Sequence, residues 1–200
     1  MAADTPLGNF GLIRLAWKNA GGISGICRSI EFLLSCIAWI LTAPAWVGYG
    51  WWDEVLAVLP TLLGFTLSGF AIFLGFGSED FKRFLANSKN PDESLYMSVG
   101  SAFLLFVTCQ TLAILYALIA KALYFPTPNF LLNYFELIKI GSYVGGGIGY
   151  FLFLFSLALS LRAALRVYRM SRWYNFYLNQ NSPKNKLHRR RVSRYKNRDS

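Results

Sequence analysis

The chain has 200 residues, 54% hydrophobic and 17% aromatic with only 15% charged, against about 25% charged in soluble domains. That balance leaves no room for a separate soluble domain of ordinary size and marks a membrane protein. Its formal charge of +10 is concentrated at one end: from Arg162 onward there are 12 of the 20 Lys and Arg and one acid, Asp199, while the preceding body is nearly neutral.

Residues 1–28 open the chain as a cytoplasmic segment. Arg14 and Lys18 lie four apart among Phe10, Ile13 and Trp17, a pattern that predicts an amphipathic helix along the inner leaflet. The domain over 29–161 holds four apolar stretches, at about 29–47, 55–76, 97–123 and 141–161. Each is long enough, at 1.5 Å per residue, to cross a hydrocarbon core of ~30 Å. None shows the two-residue alternation of a membrane strand. The first run is too long for a cleaved signal, is followed by further runs and ends in "TAPAWVGYGWW", so a retained span is expected. Glu31, three residues after Arg28, predicts an interfacial ion pair. Trp46, Tyr49, Trp51 and Trp52 after the first span, and Tyr124 and Phe125 after the third, predict an aromatic belt at the outer interface.

Lys and Arg set the orientation, because cytoplasmic loops retain them. Arg14, Lys18 and Arg28 precede the first span, Lys82, Arg83 and Lys89 join the second to the third, and the basic tail follows the fourth. Both termini are therefore expected in the cytoplasm, at the cell inner membrane. Within the second span Gly64, Ser68, Ala71 and Gly75 form a stripe of small residues. "SEDFKRFLA" predicts a short surface helix, acids first and bases last. Asn90, Pro91 and Glu93 then supply a cap, a first helical position and a capping box for the third span. In that span Gln110 lies between Thr108 and Thr111 at mid-membrane. The amide either bonds a neighbouring helix or lines a polar path. In "YFPTPNF", Thr127 is placed to cap a helix opening at Pro128.

The fourth span contains "GSYVGGGIGY". Gly141, Gly145 and Gly149 recur every four residues and give a helix a face without side chains, suited to close packing inside one bundle or between copies. The triplet Gly145-Gly146-Gly147 allows a third reading, a break or hinge. Arg162, Arg166, Arg169 and Arg172 continue the helical spacing, with Trp173, Tyr174, Phe176 and Tyr177 beside them, predicting a juxtamembrane helix over 162–182. Residues 183–200, including Arg189, Arg190 and Arg191, read as a disordered polybasic tail. Anionic lipid of the inner leaflet is its expected partner, with an acidic cytoplasmic protein next. Nucleic acid is disfavoured, since charge alone binds it without sequence preference.

Catalytic machinery is not visible. The one histidine, His188, lies in the tail, and Cys27, Cys36 and Cys109 have no metal spacing. Ser68 has no base beside it, so packing is its expected role. No metal or other cofactor is expected, and the chain does not read as an enzyme.

The fold expected is thus all-α, a polytopic membrane protein with four transmembrane helices, an amphipathic N-terminal helix and a basic C-terminal tail. Its size, four spans and basic cytoplasmic end resemble the small membrane components of bacterial anti-phage systems, such as the membrane subunit of the Kiwa system. The resemblance is one of architecture, and no residue roles are carried over. It implies a homo-oligomer that senses membrane disturbance and recruits a cytoplasmic effector through residues 78–96 and the tail. The alternative function is an oligomeric channel.

Overall fold

The computed structural model describes residues 8–19, 21–48, 50–87, 94–124 and 135–181. Among them there is no strand. The helices are α1 (Asn9–Asn19), α2 (Gly22–Cys27), α3 (Ile30–Leu41), α4 (Ala43–Val47), α5 (Trp51–Gly75), α6 (Glu79–Ala86), α7 (Leu95–Leu123) and α8 (Phe135–Asn181). Three of these, α5, α7 and α8, are long and apolar enough to cross a membrane. Their outward surfaces are greasy as well as their cores: Phe65, Ile72, Leu115, Ile119 and Ile148 are exposed, a surface water would penalise heavily.

The first predicted span does not form one helix. Pro44 lacks an N–H and its ring crowds the carbonyl four residues back, so α3 stops at Leu41 and α4 restarts with Pro44 in its first turn. At 12 residues, α3 rises only ~18 Å. Pro60, by contrast, lies inside α5 without ending it. That helix begins at Trp51, four residues before the expected 55, after a turn in which Gly50 has φ +91°, a conformation that favours glycine.

The other two long helices also exceed their predicted spans. Helix α7 starts at Leu95, where the Ser94 hydroxyl accepts the Met97 N–H at 3.2 Å. The expected caps at Asn90, Pro91 and Glu93, and at Thr127 and Pro128, fall outside the described residues. Helix α8 runs unbroken for 47 residues. It passes straight through Gly145-Gly146-Gly147, so the hinge reading is corrected: aromatic side chains packed on those glycines hold the helix together. It also continues through the predicted juxtamembrane segment to Asn181.

Helix α7 is the hub, packed against α5, α8, α1 and α6. Two apolar clusters fill the interior. Near one end Trp51, Trp52, Val55 and Leu59 meet Ala113 and Ala117 of α7 and Tyr150 and Phe153 of α8. Nearer the other end Phe73, Phe103, Phe106, Phe155 and Leu159 interlock. We call these the tryptophan end and the arginine end, the latter for Arg162 to Arg172. Helix α6 forms where the sequence predicts it, with Ser78 accepting the Phe81 N–H at 3.3 Å. Its buried Phe81 and Leu85 dock on the arginine-end extension of α8. The Phe81 ring lies 4.8 Å from Tyr174 and 5.5 Å from Tyr177. Lys82 Nζ donates to the Leu74 carbonyl at 2.8 Å, satisfying the last turn of α5.

Candidate functional site

At the tryptophan end, glycines of α8 accept aromatic rings rather than a second helix backbone. The Trp39 indole N–H donates to the Gly147 carbonyl at 2.8 Å, and Tyr116 OH to that of Gly145 at 3.0 Å. Both carbonyls are reachable because no side chain shields them, and each has a second lone pair beyond its helical bond. Trp46 stacks on Trp39 with ring centroids 4.8 Å apart and donates to the Trp39 carbonyl at 3.0 Å. A Cβ on Gly149 would overlap Trp51 and come within 2.6 Å of Tyr116 Cε1, and one on Gly146 would lie 2.9 Å from the Trp46 carbonyl. So Gly145 and Gly149 lie inside this chain's own bundle, whereas Gly141 faces open space.

Of the aromatics expected at the outer interface, Trp51 and Trp52 are buried, Trp46 is half-buried and Tyr124 is exposed. Tyr49 and Phe125 lie outside the described residues. Beside the cluster, an open cleft of about 290 Å³ is lined chiefly by Trp51, Trp52, Tyr116 and Tyr124 with Gly141 and Gly145. At the same end of the bundle Lys121 pairs with Asp53 at 2.9 Å, and Tyr150 OH donates to Glu54 at 2.9 Å.

The small residues of α5 have the opposite surroundings. Gly64, Ser68, Ala71 and Gly75 are all exposed, with nothing near a Cβ at Gly64 or Gly75. Ser68 donates to the Gly64 carbonyl at 2.9 Å, so its hydroxyl is spent on its own helix. Among the described residues no other helix covers this stripe, which faces away from the bundle.

In the middle of the bundle Gln110 is fully buried, and neither end of its amide has a hydrogen-bond partner among the described residues. The buried Ser156 hydroxyl is likewise unpaired among them. Thr108 and Thr111 donate to the Leu104 and Val107 carbonyls of their own helix, at 2.8 and 2.9 Å. Among the described residues the expected interhelical bond from Gln110 is therefore not made, and apolar clusters lie towards both ends of the bundle. An unpaired buried amide costs about 1–3 kcal/mol. Gln110→Met, similar in shape and without polar hydrogens, should stabilise the detergent-solubilised protein by about that amount, read as a higher melting temperature. A lower one would mean that the amide is satisfied.

At the arginine end the charges converge. Glu31 is buried at the start of α3, whose N-cap is Ser29. Arg162 reaches it from α8 with two bonds of 3.1 Å, one to each carboxylate oxygen. The predicted pairing with Arg28 is thus corrected: Arg28 is exposed, and a guanidinium facing the carboxylate from α8 offers a planar, two-bond fit. One turn further on, Arg166 donates to the Ser98 hydroxyl of α7. Asn19, ending α1, donates to the Ser101 hydroxyl at 3.1 Å. A water-sized gap of about 10 Å³ lies among Asn19, Ser98, Ser101, Arg162 and Arg166. Arg169 and Arg172 are exposed, and so are Arg14 and Lys18 on α1. Arg189, Arg190 and Arg191 lie outside the described residues.

Among the described residues no group of three or more His, Cys, Asp and Glu could hold a metal ion. Cys27, Cys36 and Cys109 are unpaired thiols, of which Cys109 is buried. Sequence reasoning missed the roles of Trp39 and Ser98. Their only signal was an indole at mid-span and a hydroxyl spaced on α7 to meet α8. No known family, curated protein or solved structure matches this chain.

Proposed function

We propose that this chain is a non-catalytic membrane scaffold that crosses a bacterial inner membrane four times, keeps both ends in the cytoplasm and recruits a cytoplasmic protein. One observation carries the reading. The unbroken α8 joins the packed tryptophan end to a basic extension on which α6 is clamped, a rigid rod from bilayer to platform.

The level of each contact along α8 supports the four crossings. Glu31 opens α3 beside Arg162, Trp39 reaches Gly147, and α5 begins at Trp51 against Gly149. From Arg162 to Gly147 is ~22 Å along the helix, so α3 and α4 together carry the chain from one end of the bundle to the other. Counting this broken crossing with α5, α7 and α8 gives an even number, which returns both termini to one side. Arg14, Lys18, Arg28, Lys82, Arg83 and the arginines of α8 precede or follow the helices at that end, as the positive-inside rule requires. Reporter fusions at each terminus should both report the cytoplasm; opposite faces would refute the topology.

Self-association is assigned to the open stripe on α5, since Gly64, Ser68, Ala71 and Gly75 let backbones approach and no helix among the described residues covers them. The detergent-extracted particle should have a mass several times that of one protomer. Gly64→Leu with Ala71→Leu should reduce it to a single protomer without lowering the melting temperature. An unchanged mass would place the contact elsewhere. Conduction, the rival reading, is disfavoured by the apolar clusters towards both ends of the bundle among the described residues. Conductance in liposomes would reinstate it. Placement in an anti-phage system rests on the architectural resemblance, and phage plaque counts with and without the gene test it.

A further inference from the structure

The arginine end holds more positive charge than the described residues neutralise. Glu31 is the acid bonded to the cluster, and both of its oxygens are taken by Arg162. Arg166 is half-buried and its hydrogen bond goes to a neutral hydroxyl, that of Ser98. A guanidinium has five donors, so most remain for another acceptor. Arg169, three residues on, shares its side of the helix and is exposed. From Arg162 to Asn181 helix α8 has no Asp or Glu. Of the segments packed nearby, α1, α7 and the turn before α3 contribute Asn19, Lys18, Arg28, Ser98 and Ser101, none of them an anion, while α6 contributes Glu79, paired with its own Arg83 at 4.0 Å, and the exposed Asp80. Alongside, Leu161, Leu165 and Tyr168 form an exposed apolar stripe at helical spacing.

We propose that Arg166 and Arg169 bind the phosphate of an anionic phospholipid, with one acyl chain lying along Leu161 and Leu165. The proposal rests on the membrane reading above and gives part of the predicted arginine set a definite ligand. A phosphate offers oxygens in the paired arrangement that a guanidinium fits, and it brings negative charge to Arg166 and Arg169, which have no ion-pair partner among the described residues. Arg162 plays a different part, since its lock on Glu31 positions α3 and leaves the headgroup to its neighbours. The apolar stripe is what selects a lipid over free phosphate, because a chain lying on two leucines adds burial that an inorganic ion cannot.

The test uses the full chain in neutral detergent, with bound lipid counted by native mass spectrometry during titration. Dioleoyl-phosphatidylglycerol should remain bound where dioleoyl-phosphatidylcholine, with the same chains, dissociates. Inorganic phosphate should not displace it at equal concentration. Arg166→Gln with Arg169→Gln should weaken phosphatidylglycerol binding at least tenfold, and Arg169→Gln alone, at an exposed position that cannot upset the fold, about threefold. Lys139→Gln, at the far end, should change nothing. Equal retention of the two lipids, displacement by free phosphate, or unaltered binding in the arginine variants would overturn the proposal. Resistance of the protein to alkaline extraction from membranes, measured in the same preparation, separates that failure from failure of the membrane reading.

Discussion

Glu31→Ala should unfold the arginine end, lowering stability by about 3–5 kcal/mol. The side chains of Arg162 and Glu31 are only 17% and 11% exposed, so removing the carboxylate strands a guanidinium in a poorly solvated site with Arg166 one turn away. The loss is in the charge left behind more than in the bond itself. Hence the double variant Glu31→Ala with Arg162→Met should recover most of the loss, ending within about 1 kcal/mol of the parent. Thermal melting of the solubilised protein measures both. A single variant that melts with the parent would show the pair to be solvated and would remove it as the clasp between α3 and α8.

The second large effect has a sign that depends on position. Alanine is favoured over glycine inside a helix by about 1 kcal/mol. Gly100→Ala, where nothing lies near the added carbon, should therefore stabilise α7 by roughly that amount. At Gly149 the same change drives a methyl group into Trp51 and Tyr116, and overpacking of this kind costs about 1–3 kcal/mol. The rings cannot retreat easily, because Tyr116 is tied to the Gly145 carbonyl and Trp51 is wedged against Trp52 and Tyr116. Gly149→Ala should accordingly melt lower and expose tryptophan, seen as a red-shifted emission. Equal stabilisation by both substitutions would show that the glycine face is not packed by aromatics at all.

Much of the fold was legible from composition and period. The apolar runs behind α5, α7 and α8 exceed the length a bilayer needs, and length is a local property. The amphipathic α6 was legible too, since Ser78, Glu79 and Asp80 at one end and Arg83 at the other satisfy a helix terminus without help from elsewhere. The division of the first run into α3 and α4 was also written locally, in Pro44. Its effect was hard to foresee because Pro60 in α5 has the same chemistry and breaks nothing: neighbouring helices decide whether a lost hydrogen bond is tolerated.

Partners were another matter. A glycine stripe states that something can come close, but not what, and the same spacing is filled by indole rings on α8 and left open on α5. Gln110 could be placed at mid-span from its position, yet whether a donor stands opposite depends on the rotation of two other helices. Glu31 has a base three residues away in sequence and takes one 131 residues away instead. By itself, then, the sequence determined the solvent this chain prefers, its helical class and which end carries the charge. The tertiary structure alone decided which side chains meet, because the register between helices is set by the packing of whole faces, and no single residue encodes it.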